Sequence, residues 1–233
     1  MDKWACTAWR RNPSTLIKLC VQDKLFHPFQ RSPFFEFKTI APTYPYATTR
    51  TPGMRIIAGT HKGRRLKIPK NLPVRPTTDR AKEALFSILN HKVNFESARV
   101  LDLYSGTGSI GFEFCSRGCT NVIAVDADHK CSEFVTKTAE EFGLSVQSVR
   151  STVQKYLSQC VLSFDIIFAD PPYEGGDEEF LMVKDFIQTR KLLQTGGWLI
   201  FEHTEQLDFG SDEAFIEARK YGSSVFSFFQ FTA

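Results

Sequence analysis

Five short strand-like runs recur between Arg99 and His203, around residues 99–104, 121–126, 146–150, 164–169 and 197–202. All but 146–150 are rich in Val, Ile, Leu or Phe and give way to polar or glycine-containing chain, the pattern of a buried strand. Helical stretches separate them, and strands alternating with helices build a parallel sheet covered on both faces. Two later runs, near 214–220 and 224–231, lie close enough to form a hairpin. Upstream, Ala81, Ala84, Leu85, Ile88 and Leu89 make an apolar stripe at helical spacing. Thr77-Thr78-Asp79 before it supplies N-cap side chains, so the spacing predicts a helix over 79–90. Before that helix, Arg55–Ala58 and Arg65–Ile68 read as two short strands around Gly59 and Gly63. Three segments follow: 1–53, a basic hairpin and linking helix over 54–92, and an α/β domain over 93–233.

Residues 1–53 differ in kind, being rich in Pro, Thr, Phe and Arg without sustained periodicity. They read either as a disordered extension or as a translation start assigned too far upstream. An organellar targeting peptide is the competing reading, weakened by Asp23, Glu36 and the many aromatic residues. Charged residues interrupt every long apolar stretch, so no transmembrane helix is predicted. The six cysteines form no C-x-x-C pair and the five histidines make no ligand cluster with them. Free thiols in a reducing, cytoplasmic compartment are therefore expected, and no metal site.

The charge is strongly divided. Residues 1–80 carry 16 Lys and Arg against 4 Asp and Glu, whereas the remainder carries 13 against 22. Arg55, Lys62, Arg64, Arg65, Lys67, Lys70 and Arg75 crowd a stretch with no acid between 54 and 78. Such a basic hairpin suits the phosphates of a nucleic acid.

Two motifs carry chemistry. After the fourth apolar run of the domain stand Asp170-Pro171-Pro172-Tyr173. Prolines give no N–H to a sheet, so this ending serves packing poorly. It suits a planar amine: the Asp170 carboxylate and the Pro171 carbonyl can accept its two N–H bonds, and Tyr173 can stack on the attached base. The second motif follows the first run, where Gly106, Gly108 and Gly111 satisfy G-x-G-x-x-G and Asp126 ends the next strand. That spacing fits a nucleotide cofactor whose ribose the acid binds. A dinucleotide would bring a pyrophosphate, which the carboxylate of Asp102 at the mouth of the turn would repel. The cationic ammonium and sulfonium of S-adenosylmethionine would instead be attracted. In a parallel sheet both motifs fall at the carboxyl edge, beside the switch in strand order.

Taken together, the two motifs resemble the class I S-adenosylmethionine-dependent methyltransferases. MRIIAGTHKGRRLKIPKNLPVRPTTDRAKEALFSILN over 54–90, LDLYSGTGSIGFEFCSRG, FDIIFADPPY and RKYGSSVFSFF narrow the resemblance to the RsmD family of small-subunit rRNA guanine-N2 methyltransferases. The resemblance covers nearly all of 54–233. It implies a Rossmann-like, seven-stranded, mostly parallel sheet with the last strand antiparallel beside the fifth. It implies methylation of a guanine N2 in 16S rRNA, with ribosomal RNA, free or in an assembling small subunit, as partner to a monomeric enzyme. The catalytic set is then Asp170, Pro171, Pro172 and Tyr173. The cofactor set is Asp102, Tyr104, Gly106, Gly108, Asp126 and Thr152, and the RNA set Arg55, Lys62, Arg64, Arg65, Lys67 and Arg75. Two positions depart from the family pattern: Ser151-Thr152 stands where many relatives have Asp or Asn for the adenine amine, and Tyr104-Ser105 replaces the usual Phe-Ala. The rivals are amino methyltransferases acting on DNA bases or protein glutamine, and an assembly factor that binds RNA without catalysis.

Overall fold

The computed structural model describes residues 54–72, 74, 77–172 and 176–231. The reading of 1–53, and the site assignments of Arg75 and Tyr173, lie outside the described residues.

Helix α1, Asp79–Leu89, starts where Thr78 caps it, its hydroxyl accepting the Ala81 N–H at 3.2 Å, with Asp79 favourably placed in the first turn. Its apolar stripe buries Leu85, Phe86 and Leu89, each worth about 1.5–3 kcal/mol when fully removed from water. The alternation then runs β1 (Arg99–Leu103), α2 (Ser109–Ser116), β2 (Asn121–Asp126), α3 (His129–Phe142), β3 (Val146–Arg150), α4 (Val153–Gln159), β4 (Phe164–Ala169), α5 (Gly176–Thr189) and β5 (Leu193–His203). A closing hairpin follows, β6 (Phe215–Tyr221) and β7 (Ser224–Phe229). The strand order is β3-β2-β1-β4-β5-β7-β6, with β1 to β5 parallel and β7 antiparallel between β5 and β6. Because β1 pairs with both β2 and β4, the order reverses beside β1, which opens a crevice at the carboxyl edge there.

Successive strand residues face opposite sides, and two cores result. On one face Val100, Ile166, Phe168, Ile200 and Phe226 pack with α1, α2, α3 and the arm residues Met54, Ile56 and Leu66. On the other, Leu101, Leu103, Ile167, Leu199 and Phe201 pack with Leu157 of α4 and Phe180, Val183 and Ile187 of α5. Residues 54–231 fall within one compact unit. Among the described residues no helix is long and apolar enough to cross a membrane.

The basic hairpin departs from its expected form. The two strands expected over 55–58 and 65–68 are reduced to one antiparallel bridge, Arg55 to Arg65. Beyond the bridge, the N–H groups of Ile57 and Ala58 donate to the carboxylate of Glu113 on α2, at 2.8 and 3.0 Å. Three backbone bonds still join the two runs: Ile56 N–H to the Arg64 carbonyl at 2.9 Å, Gly63 N–H to the Ile56 carbonyl at 2.8 Å and Leu66 N–H to the Met54 carbonyl at 2.8 Å.

Candidate active site

The chain leaves β1 through a turn whose backbone needs unusual conformations. Tyr104 has φ 56°, Gly106 φ 51° and Gly108 φ 70°, all in the left-handed region that favours glycine. A side chain at Gly108 would also meet Val135 Cγ2 at 2.8 Å. The third glycine of the motif does different work. Gly111 donates its N–H to Asp102 Oδ2 at 3.1 Å, and a Cβ there would press on Val122 Cγ1 at 3.3 Å. It serves the packing of α2 on the sheet.

Two acids frame this turn. Asp102 lies beneath it rather than at its mouth, 1% exposed, because α2 folds back over the end of β1. Burial pushes its carboxyl up to about 7, opposed by the Gly111 N–H and reinforced by the charge of Asp126. Asp126 ends β2 and grips the turn, accepting the Gly106 N–H at 2.8 Å on one oxygen and the Asp128 N–H at 2.8 Å on the other. Each oxygen keeps a second lone pair, which suits a ribose hydroxyl. Thr152 caps α4 by accepting the Lys155 N–H at 3.3 Å, and its hydroxyl proton remains to be donated. The Tyr104 hydroxyl donates to Glu179 on α5, and burial followed by this bond raises its pKa far above the usual phenol.

Asp170 follows β4 directly. Leu103 pairs with Ala169, and the Asp170 N–H donates to the Leu103 carbonyl at 3.5 Å, one residue before the turn. The acid motif and the glycine turn thus leave neighbouring strands side by side. Asp102 pairs with Phe168, so Asp170, two residues further on, belongs to the same sheet face one step nearer the edge. Pro171 is buried and Pro172 exposed.

Three further residues stand around this crevice, and of these Val74 left no sign in the sequence. Val74 lies over the turn, 3.4 Å from where a Gly106 Cβ would stand. Thr77, for which the sequence leaves open a capping role or contact with RNA or substrate, donates its hydroxyl to Glu202 Oε2 at 2.9 Å. Ala169 pairs with Phe201, so Glu202 stands next to Asp170 on the adjoining strand. Its position at the end of the fifth strand-like run already puts Glu202 near this edge. His203 is structural: its ring bonds the Thr204 carbonyl at 2.6 Å and the Ser227 hydroxyl at 2.7 Å, and burial lowers its pKa.

Of the expected RNA ligands, Lys62, Arg64, Arg65 and Lys67 are exposed on the arm. Arg55 is also exposed but pairs with Asp79 at 3.0 Å. The Arg64 guanidinium sits 4.9 Å from the centre of the Phe142 ring, a cation–π contact that leaves its N–H donors available at the rim.

A family model described as Conserved hypothetical protein 95 matches residues 54–230. Ribosomal RNA small subunit methyltransferase D of Escherichia coli K12 is 32% identical over 150 residues, which covers 64% of this chain and 71% of that protein. This chain belongs to the RsmD family. Among solved structures, Escherichia coli yhhF, provisionally described as a methyltransferase, matches with TM-score 0.66 at 25% identity, covering 76% of this chain and 97% of that one. The Thermus thermophilus 16S rRNA N2 G1207 methyltransferase RsmC, solved with AdoMet and guanosine, shares the fold at TM-score 0.53 and 23% identity, over 66% of this chain and 43% of that one. In this RsmD-family chain the matched span holds the basic arm as well as the whole sheet. The arm is therefore part of the family's unit.

Proposed function

We propose that this chain methylates the exocyclic N2 amine of a guanine in small-subunit ribosomal RNA, using S-adenosylmethionine. One observation carries the reading: the Asp170 N–H bonds the carbonyl of Leu103, which brings the amine-binding motif against the glycine turn. The family membership and the name of the Escherichia coli relative support rRNA as the substrate class.

The turn fits the cofactor. Left-handed Gly106 and Gly108 let backbone approach a ligand closely, and Asp126 faces the same bend with lone pairs for ribose hydroxyls. Asp102 acts on a cationic ligand from below, through its field. When bound, S-adenosylmethionine supplies a methyl group on a sulfonium, which an amine takes by displacement. The chain's own contribution is position and desolvation. A guanine N2 lone pair is delocalised into the ring. Asp170 and the Pro171 carbonyl each accept one N–H of the amine, direct the lone pair towards the turn and disperse the positive charge growing on nitrogen. One proton then leaves N2, to Asp170 or to water. The target guanine must be unstacked to enter. We place the reaction in the cytoplasm and the enzyme as a monomer. Mapping methylated nucleotides in rRNA from cells with and without the protein tests the assignment: one guanine should lose its N2 methyl group, and an unchanged map would refute it.

Asp102 makes cofactor binding pH-dependent. With its carboxyl near 7, the ligand-free site is mostly protonated below that pH and ionised above it. A cationic ligand favours the ionised form, so binding below pH 7 expels a proton and weakens by up to about tenfold per pH unit. The same shift means that the fold loses stability as pH rises from the ordinary carboxylate range through 7, because ionised Asp102 is disfavoured only in the native state. Calorimetry with S-adenosylmethionine, in the absence of RNA, should show close to one proton released per site at pH 6 and few at pH 7.5. Asp102→Asn should abolish the difference, and equal release at both values in the wild type would contradict this role.

For the arm, Arg64→Ala/Arg65→Ala should weaken RNA binding and flatten its salt dependence. Two lost phosphate contacts change the slope of log K against log salt by about 1.5. Fluorescence anisotropy with an rRNA fragment measures it, and an unaltered slope would remove these residues from the interface.

A further inference from the structure

Among the described residues, two buried charges lie outside the crevice, and both bond the backbone of the arm. Lys82, on α1, is 1% exposed, and Glu113, on α2, is 0% exposed. The Lys82 ammonium donates to the Arg55 carbonyl at 2.6 Å and stands 3.8 Å from Asp79 Oδ1. Burial lowers its pKa, while Glu113 and Asp79 oppose that shift. Glu113 accepts the N–H groups of Ile57 and Ala58 and pairs with Arg117 at 3.0 Å. Arg117 in turn lies over the Phe86 ring at 4.6 Å.

Burying a charge is costly unless its partners are well placed, and removing one partner strands the other. Here most of the partners are backbone groups of the arm: the carbonyl of residue 55 and the N–H groups of 57 and 58. Pairing within the arm does not serve these groups: its backbone bonds run from Ile56 to Arg64, from Gly63 to Ile56 and from Leu66 to Met54. The helix that carries Glu113 begins at Gly108, inside the glycine turn. Glu113 is five residues along, about 7 Å down a rigid axis. One short helix therefore joins the turn to the anchor of the arm.

We infer that Glu113 and Lys82 are positioning residues for RNA: they hold the basic arm at a fixed distance from the glycine turn, so that phosphates gripped at Arg64 and Arg65 bring a base over Asp170. This rests on the proposed reading of the arm and the crevice. When the clamp is weakened, the arm spends only a fraction of its time docked, and apparent affinity for RNA falls by that fraction; a tenth docked means about tenfold. The turn also touches the arm, through Val74 beside Gly106 and through Thr107, which donates to Met54 Sδ at 3.5 Å, but Asp126 holds its backbone, so affinity for the cofactor changes far less than affinity for RNA.

The test uses the full chain with Glu113→Gln, and independently Lys82→Met with Lys82→Arg as the conservative rescue. RNA affinity is read by anisotropy with an rRNA fragment, cofactor affinity by calorimetry with S-adenosylhomocysteine, and turnover as KM against kcat. Affinity for RNA should fall about tenfold and its KM rise in step, with kcat and S-adenosylhomocysteine affinity within about twofold. Lys82→Arg should recover most of the loss. In an Arg64→Ala/Arg65→Ala background the penalty of Glu113→Gln should shrink to about twofold or less, because displacing a neutralised arm forfeits little. The inference is overturned if the penalty persists in full in that background, or if S-adenosylhomocysteine affinity falls with RNA affinity. Should Glu113→Gln fail to fold, Lys82→Met and its rescue decide. Wild-type protein that binds RNA but methylates none would refute the proposed reaction and leave the anisotropy comparison to judge the clamp.

Discussion

Asp170→Ala should lower turnover by about a thousandfold or more while S-adenosylhomocysteine binds within about twofold of the wild-type affinity. The division follows from the strand ends. Asp170 enters the crevice from β4, while the cofactor turn is held by Asp126 from β2 and Asp102 from within β1. Removing the carboxylate takes away an acceptor that strengthens as charge builds on the amine, a loss felt in the transition state far more than in the ground state. Asp170→Asn, which keeps one acceptor oxygen but no charge, should fall between the two. Single-turnover kinetics with saturating cofactor, beside calorimetry, separates these effects. Turnover retained in the alanine variant would strip Asp170 of its role.

Gly59→Ala should cost about 3–5 kcal/mol of stability, or about 10 °C in Tm. Gly59 has φ 79°, and a Cβ there would stand 1.7 Å from the Ser116 carbonyl oxygen and 2.3 Å from its carbon. That carbonyl accepts the Thr60 N–H at 2.7 Å, so the arm lies on the backbone at the end of α2 with no room between. Gly63 is the control, with φ 82° but nothing within 4 Å of its Cβ position. Gly63→Ala should cost only about 1 kcal/mol, the conformational term alone. Thermal unfolding of both variants checks the pair, and equal losses would show that close approach at Gly59 is unimportant.

The sheet was legible because β1, β2, β4 and β5 are short apolar runs closed by an acid or a glycine turn, and burial fixes their register; β3, VQSVR, is only partly buried and was legible by its place in the alternation. Helix α1 was legible through Thr78 and the stripe that follows it. What escaped the sequence depends on distant partners. The arm strands were over-read only in length: the two runs pair around Arg55 and Arg65, while the N–H groups of Ile57 and Ala58 turn to Glu113, 56 and 55 residues away. Glu113 did leave a mark, as a lone acid in the otherwise apolar or small run Ile110-Gly111-Phe112-Glu113-Phe114-Cys115, where burial requires partners. Asp102 was found by type and spacing, yet its depth is fixed by α2 folding over it, which spacing does not reveal. The bond from Thr77 to Glu202 spans 125 residues, and Val74 reaches Gly106 only because the arm crosses the edge of the sheet.

The central claim is that Asp170 and Pro171 present a guanine N2 to the glycine turn, and methyl transfer tests it most directly. Purified protein, small-subunit rRNA or assembling subunits, and S-adenosylmethionine labelled on its methyl group are combined, and the RNA is digested to nucleosides for chromatography and mass spectrometry. Label recovered as N2-methylguanosine, and lost with Asp170→Ala, is the predicted result. Label on another base or another atom, or none on any RNA offered, would contradict it.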